Sequence, residues 1–373
     1  MRKKKERRLL RLLCVAAALL VLTSAGAQFT AKTGPTPYYE TQLEAARRLE
    51  ACFAAVRGYR EELGIPMSED DLHQTGMIGL PYTGITTTQG ALEAKRTTAW
   101  PDMAALCVRM LYEAGVRPGN TVGAGFSGSF PGMDLAVVTA CESMDVRLVC
   151  ISSVGASTYG ANHPELTFPE MMYRLERDGL IATKSAAVTL GGYHDVGEDM
   201  DPELVAPIKR RLEEAGLGLV EQPDFAANIA WREELYQREG PIDCFVAVGG
   251  NVTSLGLGES GVSLGQGVLH SAGAVRLDDS SGLVQRYLAR GLPVINLLNI
   301  KKLMADYSMP FDPLVWPPIG QSAVYSSVQY EKGWIAAGLG GAAALLALCL
   351  WVRRRPGPGR SPSGEAEKTE LGG

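Results

Sequence analysis

Two stretches free of charged residues, 12–31 and 333–352, constrain this chain more than any other feature. A helix rises about 1.5 Å per residue, so roughly 20 residues cross a hydrocarbon core about 30 Å thick. Trp334 and Trp351 stand near the two ends of the second stretch, where indole rings favour the lipid–water boundary. Basic residues crowd the outer flanks: Arg2, Lys3, Lys4, Lys5, Arg7, Arg8 and Arg11 before the first stretch, and Arg353, Arg354 and Arg355 after the second. By the positive-inside rule both ends are expected in the cytoplasm and residues 32–332 outside. Ala25-Gly26-Ala27, after a basic start and an apolar run, also reads as a signal-peptide cleavage site. Either reading leaves the central region outside. The expected organisation is a basic tip with a signal-anchor or signal peptide over 1–31, an extracytoplasmic domain over 32–332, a transmembrane helix over 333–352 and a cytoplasmic tail over 353–373. That tail is rich in Pro, Gly, Ser and Glu from 356 onward, a composition that favours disorder.

The central region holds 24 basic and 37 acidic residues, a formal charge of −13. Such a surface excludes nucleic acid as a partner and disfavours any long polyanion. Its five cysteines, Cys52, Cys107, Cys141, Cys150 and Cys244, form no Cys-x-x-Cys pair and mostly lie in apolar runs, as buried free thiols do. Over 38–63, the positions Ala45, Leu49, Cys52, Val56, Tyr59 and Leu63 recur every three or four residues and draw one apolar helical stripe, stopped by Gly64 and Pro66. Beyond it, helices expected over 101–114, 133–144, 169–178, 202–215, 228–239 and 281–289 alternate with strands over 121–126, 147–152, 186–190, 244–248 and 293–297. This alternation predicts an α/β fold, a Rossmann-like, mostly parallel sheet with helices on both faces. Length alone allows a single domain or a division near 221–225.

Ligands in open α/β sheets bind beyond the carboxyl ends of the strands. Three loops at such ends share one character. They are Ser127-Gly128-Ser129-Phe130-Pro131-Gly132, Ser153-Val154-Gly155-Ala156-Ser157 and Gly249-Gly250-Asn251-Val252-Thr253-Ser254. Glycine admits close approach of backbone N–H groups and hydroxyls add donors, so together the loops could cradle a phosphate or a carboxylate. The alternative is that they are tight turns and helix caps. No nucleotide-binding motif is present, and nothing names a cofactor. Gly125-Phe126-Ser127-Gly128-Ser129 also approaches the Gly-x-Ser-x-Gly elbow of serine hydrolases, with serine in the last position. A triad then needs one of His73, His163, His194 or His270, and spacing selects none. His194, Asp195, Glu198, Asp199 and Asp201 make either a divalent-cation loop or a solvated acidic loop with Asp201 capping a helix at Pro202. Lys95 and Arg96, adjacent cations after a polar run, either meet an anion at the glycine-rich loops or form a surface pair with Glu93 or a neighbour.

Ile85-Thr86-Thr87-Thr88, Leu92-Glu93-Ala94-Lys95-Arg96-Thr97, Gly125-Phe126-Ser127-Gly128-Ser129-Phe130-Pro131 and Ser152-Ser153-Val154-Gly155-Ala156-Ser157 occur in that order. In this combination the chain resembles bacterial poly-gamma-glutamate system proteins, from about residue 75 through the 249–251 loop and on to the second apolar stretch. The resemblance implies a membrane-anchored accessory protein of poly-gamma-glutamate capsule or polymer synthesis or export, with synthase and export proteins as partners. It transfers no catalytic residue. Two functional expectations stand. One is an accessory protein binding a small carboxylate or phosphate at Ser127, Gly128, Ser129, Ser153, Ser157 and Asn251 with Lys95 and Arg96. The other is an extracytoplasmic serine hydrolase or amidase with Ser127 as nucleophile.

Overall fold

The structure is a computed structural model that describes residues 2–238, 240–258, 264–270 and 275–354, so the expected tail from 356 onward lies outside the described residues. The chain divides into two units, one built from its two ends and one from residues 35–326.

The terminal unit contains two helices, Arg2–Phe29 and Lys332–Arg354. Both are long and apolar enough to cross a membrane. They pack on each other through small residues. A Cβ on Gly26 would meet the Trp334 ring at 2.9 Å, and side chains on Gly338 or Gly341 would run into Thr23 and Leu19. Such positions let backbones approach closely, as association between helices in lipid requires. Leu22 and Leu339 are 68% and 64% exposed, so the pair turns apolar side chains outward as well as toward each other. A soluble core helix would not.

The 35–326 unit is α/β. Its six-stranded sheet comprises β1 (Thr121–Phe126), β2 (Arg147–Ser153), β3 (Ser185–Thr189), β4 (Cys244–Val248), β5 (Gly267–Leu269) and β6 (Val294–Leu297). The spatial order is β5-β6-β4-β1-β2-β3. All neighbours pair in parallel except β5, which runs antiparallel to β6. The sequence expectation contains every parallel strand to within a residue or so and lacks β5. A three-residue edge strand carries too little alternation to register.

Alternate residues of the strands feed two cores, as a sheet covered on both faces demands. Val122, Ala124, Phe126, Val246, Ile295 and Leu297 join helices Tyr39–Glu62, Asp102–Glu113 and Pro131–Ser143 in one cluster. Ile151, Phe245, Ala247 and Val294 join helices Phe225–Gln237 and Leu283–Ala289 in the other. Glycine in β1 is a packing requirement: a Cβ at Gly123 would meet Ile242 at 2.9 Å and the Tyr236 ring at 3.1 Å. The Tyr236 hydroxyl donates to the Ala124 carbonyl at 2.7 Å through that gap. On the first helix, Ala45, Leu49, Cys52, Val56 and Tyr59 are buried as their spacing predicts, whereas Leu63 is 38% exposed. The helix ends at Glu62, and Gly64 at φ +67° turns the chain away before Leu63 can reach the core. The 221–225 stretch lies inside this unit. All five cysteines of the region are buried and free.

Candidate functional site

The chain goes from β1 to β2 to β3 on one side, then returns to place β4 on the other side of β1. The strand order therefore reverses between β1 and β4. In open α/β sheets a crevice forms at that point, because the loops leaving the two strands diverge. Here those loops are Ser127-Gly128-Ser129-Phe130 and Gly249-Gly250-Asn251.

The loop after β1 is internally bonded. Ser127 Oγ donates to Ser129 Oγ at 2.9 Å and accepts from Ser129 N–H at 3.3 Å. Phe130 then leads into the helix Pro131–Ser143, with proline at its first position where no N–H is needed. The chain after β2 forms a short strand, Ala156–Ser157, parallel to Thr86–Thr88. This pairing carries Ser157 to the mouth of the crevice, where its N–H donates to Ser129 Oγ at 3.0 Å. Ser129 Oγ thus has both lone pairs occupied, and its own O–H is the donor left to meet a ligand.

Downstream of the threonines, helix Leu92–Thr98 presents Lys95 to the same point. The side chain is buried, with Nζ donating to Ser157 Oγ at 2.6 Å and to the Ser129 carbonyl, 3.6 Å from the centroid of the Phe130 ring. Burial pushes the Lys95 ammonium down to about 7, against the opposing pull of Asp134. Asp134, in the first turn of Pro131–Ser143, is fully buried with both carboxylate oxygens unpartnered among the described residues. Burial raises its carboxyl well above the usual carboxylate range, and Lys95 opposes that rise. Both groups are therefore biased toward their neutral forms. Gly90 closes over the pair: a Cβ there would stand 2.8 Å from Ser157 Oγ and 3.2 Å from Lys95 Nζ.

A cavity of ≈ 710 Å³ opens on this cluster, lined by Lys95, Ser129 and Ser157 on its floor and by Phe130, Leu298, Ile300, Phe311 and Lys301 around it. A second cavity of ≈ 220 Å³ lies on the far side of Ser129, bounded by Ser127, Ser153, Tyr193, Asp199 and Asn251. The two share Thr88, Ser129 and Gly250.

Of the residues singled out from sequence, Lys95, Ser129 and Ser157 meet at the larger cavity and Ser127, Ser153 and Asn251 at the smaller. Gly128 lines neither; a Cβ there would meet the Gly155 carbonyl at 3.1 Å, so the residue serves the close packing of two loops. Ser153 Oγ donates to the Phe126 carbonyl, and Asn251 Oδ1 caps the short helix Val252–Leu255 by accepting from Thr253. Arg96 is a correction: its guanidinium forks onto Asp312, which anchors it away from both cavities and leaves Glu93 out of the pair. Ser127 has no histidine beside it. His73 stacks on Trp316, His194 pairs with Glu198 at 3.3 Å, and neither His163 nor His270 lines either of these two cavities.

The acidic loop also resolves. Asp195 is buried against Arg232 at 2.5 Å and accepts from Thr189 and Asn228, while Asp201 caps the helix Pro202–Glu214 by accepting from Glu203 N–H at 2.9 Å. Among the described residues no three His, Cys, Asp or Glu side chains converge as metal ligands. Asp134 and the burial of Lys95 escaped sequence reasoning. One signal existed for Asp134, the single charged residue of the otherwise uncharged run 131–141.

No family model matches the chain, and no curated protein or solved structure matches it.

Proposed function

We propose that this chain is a membrane-anchored serine–lysine enzyme that cleaves or transfers the acyl group of an amide or ester outside the cytoplasmic membrane, as part of a poly-gamma-glutamate system. One observation carries the chemistry: a buried lysine with its proton affinity brought near neutrality lies 2.6 Å from a serine hydroxyl at the floor of a cavity. A lysine held as free amine can take a serine proton, whereas an ordinary lysine at neutral pH cannot. Lys95 Nζ accepts the Ser157 Oγ proton as that oxygen attacks the carbonyl carbon, and the ammonium so formed protonates the leaving group. Ser129 O–H is the donor available to the oxyanion. The nucleophile is thus Ser157 in place of Ser127, and lysine takes the part expected of histidine.

The process rests on the resemblance. In its support, all four strings that carry the resemblance contribute to the two cavities, through Thr87, Thr88, Lys95, Ser127, Ser129, Ser153 and Ser157. Lys301 at the larger cavity, which Glu93 also lines, suits an acyl group that bears a carboxylate. The outward placement rests on the basic flanks of the two apolar helices. A fluorophosphonate probe on the detergent-solubilised protein tests the chemistry. Labelling should disappear in Ser157→Ala and fall at least a hundredfold in Lys95→Met, with Ser127→Ala retaining most of it. A folded wild-type protein that stays unlabelled would leave only the second reading, a carboxylate-binding accessory protein, which Lys301 and the Ser129 hydroxyl at the larger cavity favour.

A further inference from the structure

Acyl transfer needs two subsites, one for the acyl group and one for the group that leaves or arrives. The two cavities share Thr88, Ser129 and Gly250; Ser157, which lines the larger, donates its backbone N–H to Ser129 Oγ at 3.0 Å, so the shared wall adjoins the residue that would carry the acyl group. Their chemistry differs. The larger is walled largely by apolar side chains, among them Phe130, Leu298, Ile300 and Phe311, and carries Lys95, Lys301 and Glu93. The smaller is lined by hydroxyls and backbone, and among the described residues Asp199 is its single charged side chain. That carboxylate is held in place: Oδ1 accepts from Tyr193 N–H at 3.0 Å and rests against Gly192, where a Cβ would collide with it. The exposed Tyr193 ring flanks it at the rim.

We infer that the smaller cavity is an amine subsite and that the acyl-enzyme is resolved by a cationic amine in preference to water. This rests on the serine–lysine reading and names its second substrate. The amine half of the donor amide lies there first, receives the proton of the Lys95 ammonium as the C–N bond breaks, and leaves. An acceptor amine, drawn in as ammonium by Asp199, loses one proton to solvent and enters the same space as the free base. It attacks the ester carbonyl, Lys95 takes its second proton, and that proton passes to Ser157 Oγ as the C–O bond breaks. One amide is exchanged for another without a redox step. A site that releases one amine admits another by microscopic reversibility, and Asp199 makes that site select for positive charge.

The experiment uses p-nitrophenyl acetate as acyl donor with 1,4-diaminobutane or glycine as acceptor, on the full chain in detergent, with the Ser157→Ala rate subtracted as uncatalysed aminolysis. N-acetyl-diaminobutane should be the main product, glycine should be acetylated at least tenfold less, and Asp199→Asn should raise the half-saturating diamine concentration about tenfold. Circular dichroism checks that this exposed substitution leaves the fold intact. If p-nitrophenol is released in a Ser157-dependent way but acetate is the only product at every diamine concentration, the serine–lysine site stands and the amine subsite is refuted. If no Ser157-dependent release occurs, both fall together.

Discussion

At the scale of single residues, the site depends on a lysine in an environment that disfavours its charge. Lys95 faces Asp134 from the neighbouring helix, Ser129 and Phe130 from the loop after β1, and Ser157 from the loop after β2. Burial outweighs the attraction of Asp134, so the proton leaves near pH 7 where an ordinary lysine keeps it to 10.5. The reactive form is the free amine. Fluorophosphonate labelling should therefore rise about tenfold per unit below pH 7 and level off above it, followed as the initial rate of label incorporation between pH 5 and 9. A rise that continued to pH 10 would show an ordinary lysine and no activation. The sequence singles out Lys95 and Ser157 but not their contact. They are 62 positions apart and meet because Ala156–Ser157 pairs with Thr86–Thr88, a two-residue ladder too short to announce itself in any pattern. Arg96, the next residue along, turns to Asp312, 216 positions away and equally out of reach of local reasoning.

At the scale of elements, what is legible follows from period. The parallel strands of the six-stranded sheet and most helices of the 35–326 unit show the apolar runs or three-to-four spacing of their type and lie near their expected positions. What is not legible is how the loop after β3 is held. Gly191 and Gly192 take φ +74° and +71°, and His194 and Asp195 follow at +54° and +66°, a run that non-glycine residues rarely adopt. The contact that holds it is Asp195 with Arg232 from helix Phe225–Gln237, supported by Thr189 and Asn228. Both charges are about 1% exposed, so deleting one strands the other in a low-dielectric core. Asp195→Ala should cost about 3–5 kcal/mol in urea unfolding of the detergent-held protein. Asp201→Ala, which removes only the cap of helix Pro202–Glu214 six residues further on, should cost about 0.5–2 kcal/mol. Equal small losses would mean that the ion pair contributes little to holding this loop.

At the scale of the whole molecule, two physical regimes meet in one chain. The terminal helices expose apolar side chains that water would not tolerate, while the 35–326 unit buries its apolar residues on both faces of a sheet. The charge distribution divides in the same way. Seven basic residues precede the first apolar stretch and three directly follow the second, Arg353 to Arg355, against a net −13 between residues 32 and 332. Basic flanks are retained on the cytoplasmic side during insertion, and an acidic domain meets no comparable barrier to crossing. Both ends should therefore lie inside, with the α/β unit outside. Single cysteines placed at exposed sites, in a background with Cys14 and Cys349 replaced by serine, test this in intact cells. A membrane-impermeant maleimide should label Glu69→Cys, on an exposed loop of the α/β unit, without permeabilisation, and Arg7→Cys only after it. Because the five domain cysteines are buried, they should contribute little background. The reverse labelling pattern would place the serine–lysine site in the cytoplasm, and with it any substrate the site acts on.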